Sequence, residues 1–318
     1  MKKAMIGFLG VLMAGLILAP SALGWEKGTH AFIAELIKRS GGPKTVEAMY
    51  GATVPDVFNY MYTEPGYFYR DFLYDQTHFH AMKVWQEAKE GGEKDAARGF
   101  VSHNNAWGAD MTAHTRSLTL DPNEGYVITK AKLLNSLLMN DPNYAALVGS
   151  VPYMALEICH DIVEAAGDII LKHADPSLGR KLIELARLPR PEAAALLVRA
   201  YADDLAAFSK STPAPLNKKK AEAFIRAAEA EYRSGVIAYG QLLEGDDATL
   251  IANIVEMYKS LAASFLGSYG IPVPDDATLG ALISGALDLS LQICQGDYMT
   301  EVLATAEMVK REIKKRLN

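Results

Sequence analysis

Apolar residues recur every three or four positions through long stretches of the chain, which is the spacing of amphipathic helices. Strand-like alternation of apolar and polar residues is scarce. The pattern predicts an all-α fold, a multi-helix bundle in which prolines and glycines separate the helices. The predicted helices cover residues 30–39, 127–140, 152–173, 177–187, 190–208, 219–242, 247–266, 276–292 and 297–316.

Two segments interrupt this helical pattern. Residues 58–74 contain eight aromatic side chains around a Pro-Gly pair. We expect an irregular aromatic loop there, which packs on the body of the protein or lines a substrate site. Residues 211–217 (Ser-Thr-Pro-Ala-Pro-Leu-Asn) are the best candidate for a linker. We therefore expect a helical domain over residues 25–210, followed by C-terminal helices over 211–318 that pack on the same domain.

The first 24 residues have the pattern of a secretory signal peptide. Two lysines precede an uncharged apolar run over residues 4–18, and the sequence Ala-Leu-Gly ends the segment with small residues at its −3 and −1 positions. Cleavage between Gly24 and Trp25 would make Trp25 the first residue of a secreted or periplasmic protein. An uncleaved membrane anchor is the alternative.

Composition places the rest of the chain among globular proteins. The 318 residues are 50% hydrophobic and 22% charged, which excludes a disordered, collagen-like or polytopic membrane protein. A formal charge of −6 disfavours a broad basic face for nucleic acid, so no stable nucleic-acid partner is expected. The two cysteines, Cys159 and Cys294, cannot form a disulfide framework, and whether they pair with each other is left open.

Six of the seven histidines lie between residues 30 and 160, and their spacing indicates chemistry. His103, Asp110 and His114 occur at i, i+7 and i+11, which places them on one face of a continuous helix. His160 and Glu164 share the face of another helix, although a plain solvated face explains that pair equally well. Imidazole and carboxylate groups in a cysteine-poor set suit zinc, and helical bundles build such sites from facing side chains. The pattern favours a hydrolytic metal cluster.

The segment Trp25-Glu-Lys-Gly-Thr-His30, directly after the predicted cleavage site, resembles the start of the mature chain in the zinc-dependent phospholipase C and single-strand nuclease superfamily. The resemblance covers roughly residues 25–168 and implies an all-α fold that binds up to three zinc ions per chain. It continues in chain order through Val54-Pro55-Asp56, Thr77-His78, the stretch from His103 to His114, and His160-Asp-Ile-Val-Glu164. The implied metal ligands are Trp25, His30, Asp56, His78, His103, Asp110, His114, His160 and Glu164.

The resemblance also implies individual roles for some of these residues. In the superfamily, the free α-amine and the carbonyl of an N-terminal tryptophan bind zinc, a role that would fall to Trp25. Asp56 matches an aspartate that binds metal and is the candidate catalytic base. Asp110 matches an aspartate that bridges two zinc ions. The family pattern favours His78 over His80 as the ligand in that segment.

One spacing departs from the family pattern. His103 precedes Asp110 by seven residues rather than four, so on a straight helix the axial rise would be about 10 Å instead of about 6 Å. Either the helix is distorted near Gly108, or His103 binds metal less directly than the family pattern implies.

These features predict a secreted zinc-dependent phosphoric diester hydrolase. The favoured activity is that of a phospholipase C, which hydrolyses the glycerol-phosphate ester of phospholipids at a membrane or micelle surface with a zinc-activated water. A single-strand nuclease is the alternative within the superfamily, because the step from Trp25 to His30 resembles that branch. A non-catalytic, metal-stabilised secreted binding protein is the alternative from another class. The head group of the substrate and the oligomeric state are left open.

Overall fold

A computed structural model of the chain describes residues 25–38, 45–59, 61, 64–150, 155–187, 191–268 and 272–317. These residues form 15 α-helices and no strand, so the predicted all-α class is confirmed. The predicted signal peptide lies outside the described residues, as do residue 39 and the predicted helix starts at 152 and 190. The helices are α1 (Lys27–Lys38), α2 (Thr45–Thr53), α3 (Arg70–His78), α4 (Met82–Glu87), α5 (Gly92–His103), α6 (Ala109–His114), α7 (Tyr126–Leu138), α8 (Pro142–Ser150), α9 (Ala155–Ala174), α10 (Leu178–Arg187), α11 (Pro191–Phe208), α12 (Lys218–Glu244), α13 (Asp247–Ser268), α14 (Asp276–Cys294) and α15 (Tyr298–Leu317).

Helix α9 lies at the centre of the molecule and is buried along most of its length. It packs against α7 and α14, and it also contacts α1 and α15. When the polar face of a helix is buried as well as its apolar face, its polar side chains must find partners inside the protein. The polar face of α9 carries His160 and Glu164, both of which are buried. A solvated face for this pair is therefore excluded.

The C-terminal helices share the hydrophobic core of the N-terminal ones. Helix α12 packs on α10 and α11, and α15 packs on α1. The segment 211–217, which was predicted as a linker, connects α11 to α12. Its first residue ends a short 3₁₀ turn at Ser209–Ser211, and residues 212–217 are non-helical. Cys159 and Cys294 are both buried and free, so they do not form a disulfide with each other.

The aromatic segment is only partly irregular, and the prediction of a loop up to residue 74 was wrong. A 3₁₀ turn at Gly66–Phe68 leads directly into α3, which begins at Arg70. Tyr69 and Leu73, four residues apart, are completely buried, and that helical spacing explains why the chain continues as a helix. Phe72 stacks on Phe208 with ring centroids 4.3 Å apart, so this part of the segment packs on the body of the protein.

Helices α2 and α5 approach each other closely because glycines face each other across the contact. A Cβ atom on Gly99 would lie 1.9 Å from the carbonyl oxygen of Ala48, and one on Gly51 would lie 2.0 Å from that of Ala96. No side chain larger than hydrogen fits at either position. The close contact brings the C-terminal end of α2 against the end of α5, where His103 lies.

Among the described helices, α14 is long and apolar enough to cross a membrane, by length and composition alone. Core helices of soluble proteins pass the same test. In this fold, α14 packs on α9 and α13, and 33% of its most apolar window is buried.

Candidate metal centre

Six separate elements place the predicted metal ligands on a common region of the protein. Every one of these side chains except His114, which is partly exposed, is buried. The carriers are α1 with His30, the 3₁₀ turn Val54–Phe58 with Asp56, α3 with His78, α5 with His103, α6 with Asp110 and His114, and α9 with His160 and Glu164.

These side chains form three groups that could hold metal ions, and in each group the candidate ligand atoms lie within 4.8 Å of one another. All eight predicted side-chain ligands belong to a group, and His103 belongs to two. The groups are His30 with His103 and Asp110, Asp56 with His78 and His103, and His114 with His160 and Glu164.

Asp110 lies between the first two groups and faces each with a different oxygen atom. Its Oδ1 is 3.1 Å from His30 Nε2, whereas its Oδ2 is 3.0 Å from His103 Nε2 and 3.6 Å from His78 Nε2. Asp56 Oδ1 lies 3.4 Å from His78 Nε2 and 3.5 Å from His103 Nε2. A carboxylate with its two oxygens turned towards two sets of ligands has the geometry of a bridge between cations.

The third group lies where α6 meets α9. His160 Nε2 is 2.5 Å from Glu164 Oε1, and the rings of His114 and His160 have centroids 5.3 Å apart. Because the two residues of α9 are one helical turn apart, the backbone itself holds them together. His114 comes from the same short helix as Asp110, so α6 connects this group to the other two.

Three of the histidines are oriented by hydrogen bonds at Nδ1. His103 Nδ1 lies 2.9 Å from the Ala52 carbonyl oxygen, and His78 Nδ1 lies 3.1 Å from that of Tyr74. His114 Nδ1 lies 3.1 Å from Asn105 Oδ1. An Nδ1–H that donates to these oxygens leaves Nε2 as the atom with a free lone pair. In each case that Nε2 atom is the candidate ligand.

The unpaired polar atoms of the cluster fit a cation. His30 Nε2, both carboxylate oxygens of Asp110 and His114 Nε2 are buried and have no partner at hydrogen-bond geometry among the described residues. Two imidazole nitrogens, His78 Nε2 and His103 Nε2, lie within hydrogen-bond distance of each other at 3.2 Å, which requires a proton on one of them. Buried polar atoms without partners are costly, and a shared metal ion would satisfy them together. Nitrogen and carboxylate ligands of this kind suit zinc.

The close charges separate the pKa values within the cluster. Burial opposes the ionisation of Asp56 and Asp110, but His103 and the other facing imidazoles hold the pKa of both carboxyl groups below the usual value. Burial also opposes the protonation of His103, yet Asp110 and Asp56 outweigh it and raise the His103 pKa to about 9. At His114, burial dominates and lowers the pKa to about 3. In the metal-free protein, His103 therefore carries a proton that a metal ion would displace.

His103 and Asp110 do not lie on one continuous helix, and the prediction that they share a helical face with His114 was wrong in that respect. Helix α5 ends at His103 and α6 begins at Ala109. The Asn104 carboxamide causes the break, because its Oδ1 accepts hydrogen bonds from the Ala106 and Trp107 backbone N–H groups at 2.8 and 2.9 Å. A distortion near Gly108, one of the two explanations offered for the long spacing, is therefore present. Because of it, His103 and Asp110 are not separated by the axial rise of a straight helix.

Two neighbouring residues complete this turn. A Cβ atom on Gly108 would lie 2.6 Å from both the backbone nitrogen and the carbonyl oxygen of Asn104, so the turn requires glycine there. Asn105 links the break to the cluster: its backbone N–H donates to the His78 carbonyl at 3.0 Å, and its Nδ2 donates to the Tyr74 hydroxyl at 3.0 Å. Sequence reasoning missed Asn105, since its role depends on contacts between separate helices.

The structure places His78 in the cluster and leaves His80 outside it. His78 is completely buried at the end of α3, whereas the His80 side chain is 61% exposed and faces Asp75 at 3.3 Å. The Tyr74 ring lies over His78, with centroids 4.0 Å apart. Tyr74 is thus an aromatic side chain of the 58–74 segment that contacts a candidate ligand.

Trp25 is held against the helix that carries Asp110 and His114. Its indole Nε1–H donates to the Ala109 carbonyl at 2.9 Å and to Thr112 Oγ1 at 3.2 Å, and its ring stacks on Tyr126. The side chain is 1% exposed. These contacts place Trp25 at α6, beside the first group, although its own side chain has no metal-binding atom.

Asp168 is a second residue whose role sequence reasoning missed. It lies one turn beyond Glu164 on α9 and accepts hydrogen bonds from the Gly28 and Thr29 backbone N–H groups, both at 2.8 Å. These N–H groups belong to the first turn of α1, so a buried carboxylate from another helix completes that helix end. Because His30 follows immediately, Asp168 positions the ligand that α1 supplies.

Comparison of the chain with protein-family models, with curated proteins and with solved structures finds no match.

Proposed function

We propose that this chain is a secreted zinc-dependent phosphodiesterase, with phospholipids as its substrates. The observation that supports the proposal is the convergence of eight histidine, aspartate and glutamate side chains, all but His114 buried, into three groups of candidate metal ligands. The same residues carry the resemblance to the zinc-dependent phospholipase C superfamily. Cleavage before Trp25 would add an amine at the edge of the first group.

Bound zinc would supply a Lewis acid for the phosphoryl oxygens and would lower the pKa of a bound water. The residues of the chain would set the positions of the ions. Asp110 would hold two of them with its separate oxygens, and the Nδ1 hydrogen bonds would keep each imidazole turned towards its ion. A carboxylate with a lowered pKa, such as Asp56, is a good metal ligand and a weak proton acceptor, so its first role would be to bind metal.

Phosphorus-31 spectroscopy of the mature protein, beginning at Trp25 and supplied with zinc, tests the proposal. The reaction would contain micelles of phosphatidylcholine and phosphatidylethanolamine together with single-stranded RNA. Growth of phosphocholine or phosphoethanolamine signals would support the phospholipase activity. Growth of nucleoside monophosphate signals would identify a nuclease instead. Retention of zinc with no new phosphorus signal would overturn both and leave a metal-stabilised binding protein.

A pair of histidine variants provides the matched control. His78→Ala removes a buried candidate ligand, and we expect activity to fall at least about 100-fold with loss of bound zinc. His80→Ala removes an exposed imidazole two residues away and should leave both quantities unchanged. Equal effects of the two substitutions would contradict the assignment of the metal centre.

A further inference from the structure

The structure contains an apolar cavity, and none of its lining residues belongs to the three ligand groups. It lies mainly between α9, α13 and α14, is partly open to solvent and has a volume of about 90 Å³. The lining is almost wholly aliphatic or aromatic, as Leu138, Ile162, Tyr258, Leu266 and Ile283 illustrate. Water gains no hydrogen bonds from apolar walls, so a cavity with this lining favours the apolar part of a ligand over water.

The acidic residues of the lining restrict what the ligand can be. Glu157 and Asp161 are the acidic side chains among the lining residues, which include no lysine, arginine or histidine. A fatty acid or a phosphate ester would bring a negative charge next to two carboxyl groups without a cation to offset it. A neutral head group does not meet this repulsion.

Asp161 offers the ligand a specific polar contact. Its side chain is 7% exposed, and its Oδ1 atom has no hydrogen-bond partner among the described residues. The Tyr258 hydroxyl donates to the Asp161 backbone carbonyl at 2.9 Å, which fixes α13 against this turn of α9. A buried oxygen without a partner is costly, and a ligand hydroxyl can satisfy it without adding a charge to the apolar cavity.

The position of Asp161 on α9 relates the cavity to the metal centre. Asp161 is three residues from Glu164 in one direction and three residues from Ile158 in the other. On a helix, it therefore lies between the face that carries the candidate ligands and the apolar face that lines the cavity. A molecule bound in the cavity would have its polar end on the side of α9 nearest the metal centre.

We propose that this cavity binds an aliphatic chain with a neutral, hydroxyl-bearing head, the chemistry of a glyceride. The identification of the head as a glyceride rests on the proposed function. Hydrolysis of a glycerol-phosphate ester adds water to phosphorus and breaks the bond between phosphorus and the glycerol oxygen. That oxygen takes a proton and leaves as the free hydroxyl of a glyceride.

Calorimetric titration of the zinc-supplied mature protein with monolauroylglycerol, below its micelle concentration, tests the proposal. This probe has no phosphate and cannot be hydrolysed as a phosphodiester, so binding is independent of turnover. Ala286→Trp fills the cavity, and we expect at least about tenfold weaker binding. Ala281→Trp adds the same side chain at an exposed position of α14 and should leave binding unchanged. If Ala286→Trp does not fold, Ala262→Trp fills the cavity from α13 instead.

Two substitutions at Asp161 test the polar contact. Asp161→Leu removes the acceptor and should weaken binding of the glyceride about fivefold. Asp161→Asn keeps an oxygen acceptor and should bind as the unchanged protein does. Equal binding by all three proteins would overturn the role of Asp161.

Two further probes test whether the cavity prefers a neutral head group. Laurate and dodecylamine carry similar chains with an anionic and a cationic head, and tighter binding of either one would overturn the neutral-head proposal. Absence of glyceride binding alongside phospholipid hydrolysis would overturn the cavity proposal alone. Glyceride binding without hydrolysis would leave the cavity proposal intact and contradict the proposed function.

Discussion

His114 shows how strongly a single side chain is affected by its surroundings. Its Nδ1 is oriented by Asn105, its Nε2 has no hydrogen-bond partner among the described residues, and burial lowers its pKa to about 3. The neutral imidazole is the form that binds metal. The fold therefore keeps His114 ready to bind metal at an acidity where an exposed histidine would be protonated.

The metal-free protein should lose stability in acid because of this residue. Between about pH 6.5 and pH 3, the unfolded chain protonates His114 and the folded chain does not, so stability falls as the pH falls. One such group contributes about 1.4 kcal/mol per pH unit. Urea unfolding of the chelator-treated protein from pH 7 to pH 5 should show this loss, and His114→Gln should make the dependence shallower.

His80→Gln is the control for this measurement, since it replaces an exposed histidine outside the three groups. It should leave the pH dependence of unfolding as it is in the unchanged protein. A profile for His114→Gln that coincides with that of the unchanged protein would show that His114 is not buried in its neutral form.

At the scale of whole elements, the cluster depends on how closely α2 and α5 pack. The Ala52 carbonyl, which orients His103, belongs to α2, and the glycine contact sets the distance between the two helices. Gly99→Ala would drive its Cβ atom into the Ala48 carbonyl, and overpacking of this kind costs about 1–3 kcal/mol. We expect a lower free energy of unfolding together with reduced zinc content.

Gly285→Ala is the matched control within a helix, because a Cβ atom there would have no neighbour within 4 Å. It should stabilise the protein by up to about 1 kcal/mol, the difference in helix propensity between the two residues. A Gly99→Ala protein that is as stable and as zinc-rich as the Gly285→Ala protein would contradict the importance of the close contact.

A second prediction at the scale of elements concerns the first turn of α1, which Asp168 holds. Burial raises the Asp168 pKa to about 7, even though Thr29, Gly28 and Tyr239 donate hydrogen bonds that favour the carboxylate. At pH 8.5, where the carboxylate is ionised, Asp168→Asn should cost about 1–3 kcal/mol, because an amide nitrogen cannot accept these bonds. Thermal unfolding at that pH would measure the loss.

Asp246→Asn is the corresponding control, since Asp246 caps α13 from an exposed position and accepts the Thr249 N–H at 2.9 Å. Asparagine is also a good residue at a helix N-terminus, so we expect almost no change. If the two substitutions destabilise the protein equally, Asp168 has no special part in holding α1 and His30.

Apolar spacing predicted the long helices well, because the burial of one side of each helix fixes which positions are apolar. The structure has α7 at Tyr126–Leu138, where residues 127–140 were predicted. The break after His103 could not be predicted in the same way, since the residues on both sides keep helical spacing and a single Asn104 side chain ends the helix. The part played by Asp168 was also hidden, because it is bonded to Thr29 across 139 residues.

At the scale of the whole molecule, the candidate ligands come from the part of the chain before Ala174, and the later helices hold that part in place. Tyr298 on α15 contacts both the Trp25 ring and Thr29, with a hydroxyl-to-hydroxyl distance of 2.6 Å to the latter. Glu301 accepts hydrogen bonds from Ser117 and Thr119, in the connection that follows α6. The C-terminal helix thus braces the segment around Trp25 and the segment that follows the Asp110 helix.

Cleavage before Trp25 would complete the proposed metal centre. The indole is already fixed beside α6, so a free α-amine at Trp25 would be available to the group that contains His30 and Asp110. An amide nitrogen has no lone pair to donate to a metal, and an amine binds only when it is deprotonated. We therefore expect a protein with extra residues left before Trp25 to bind one zinc ion fewer than the mature protein.

Elemental analysis after gel filtration would measure the zinc-to-protein ratio of both forms. The matched control carries the same extra residues after Asn318, where they should not change the ratio. Full zinc content in the protein extended before Trp25 would exclude the amine as a ligand. A lower ratio in that form alone would connect processing of the chain to assembly of its metal centre, since a precursor that retains residues 1–24 would then lack one ion until it is cleaved.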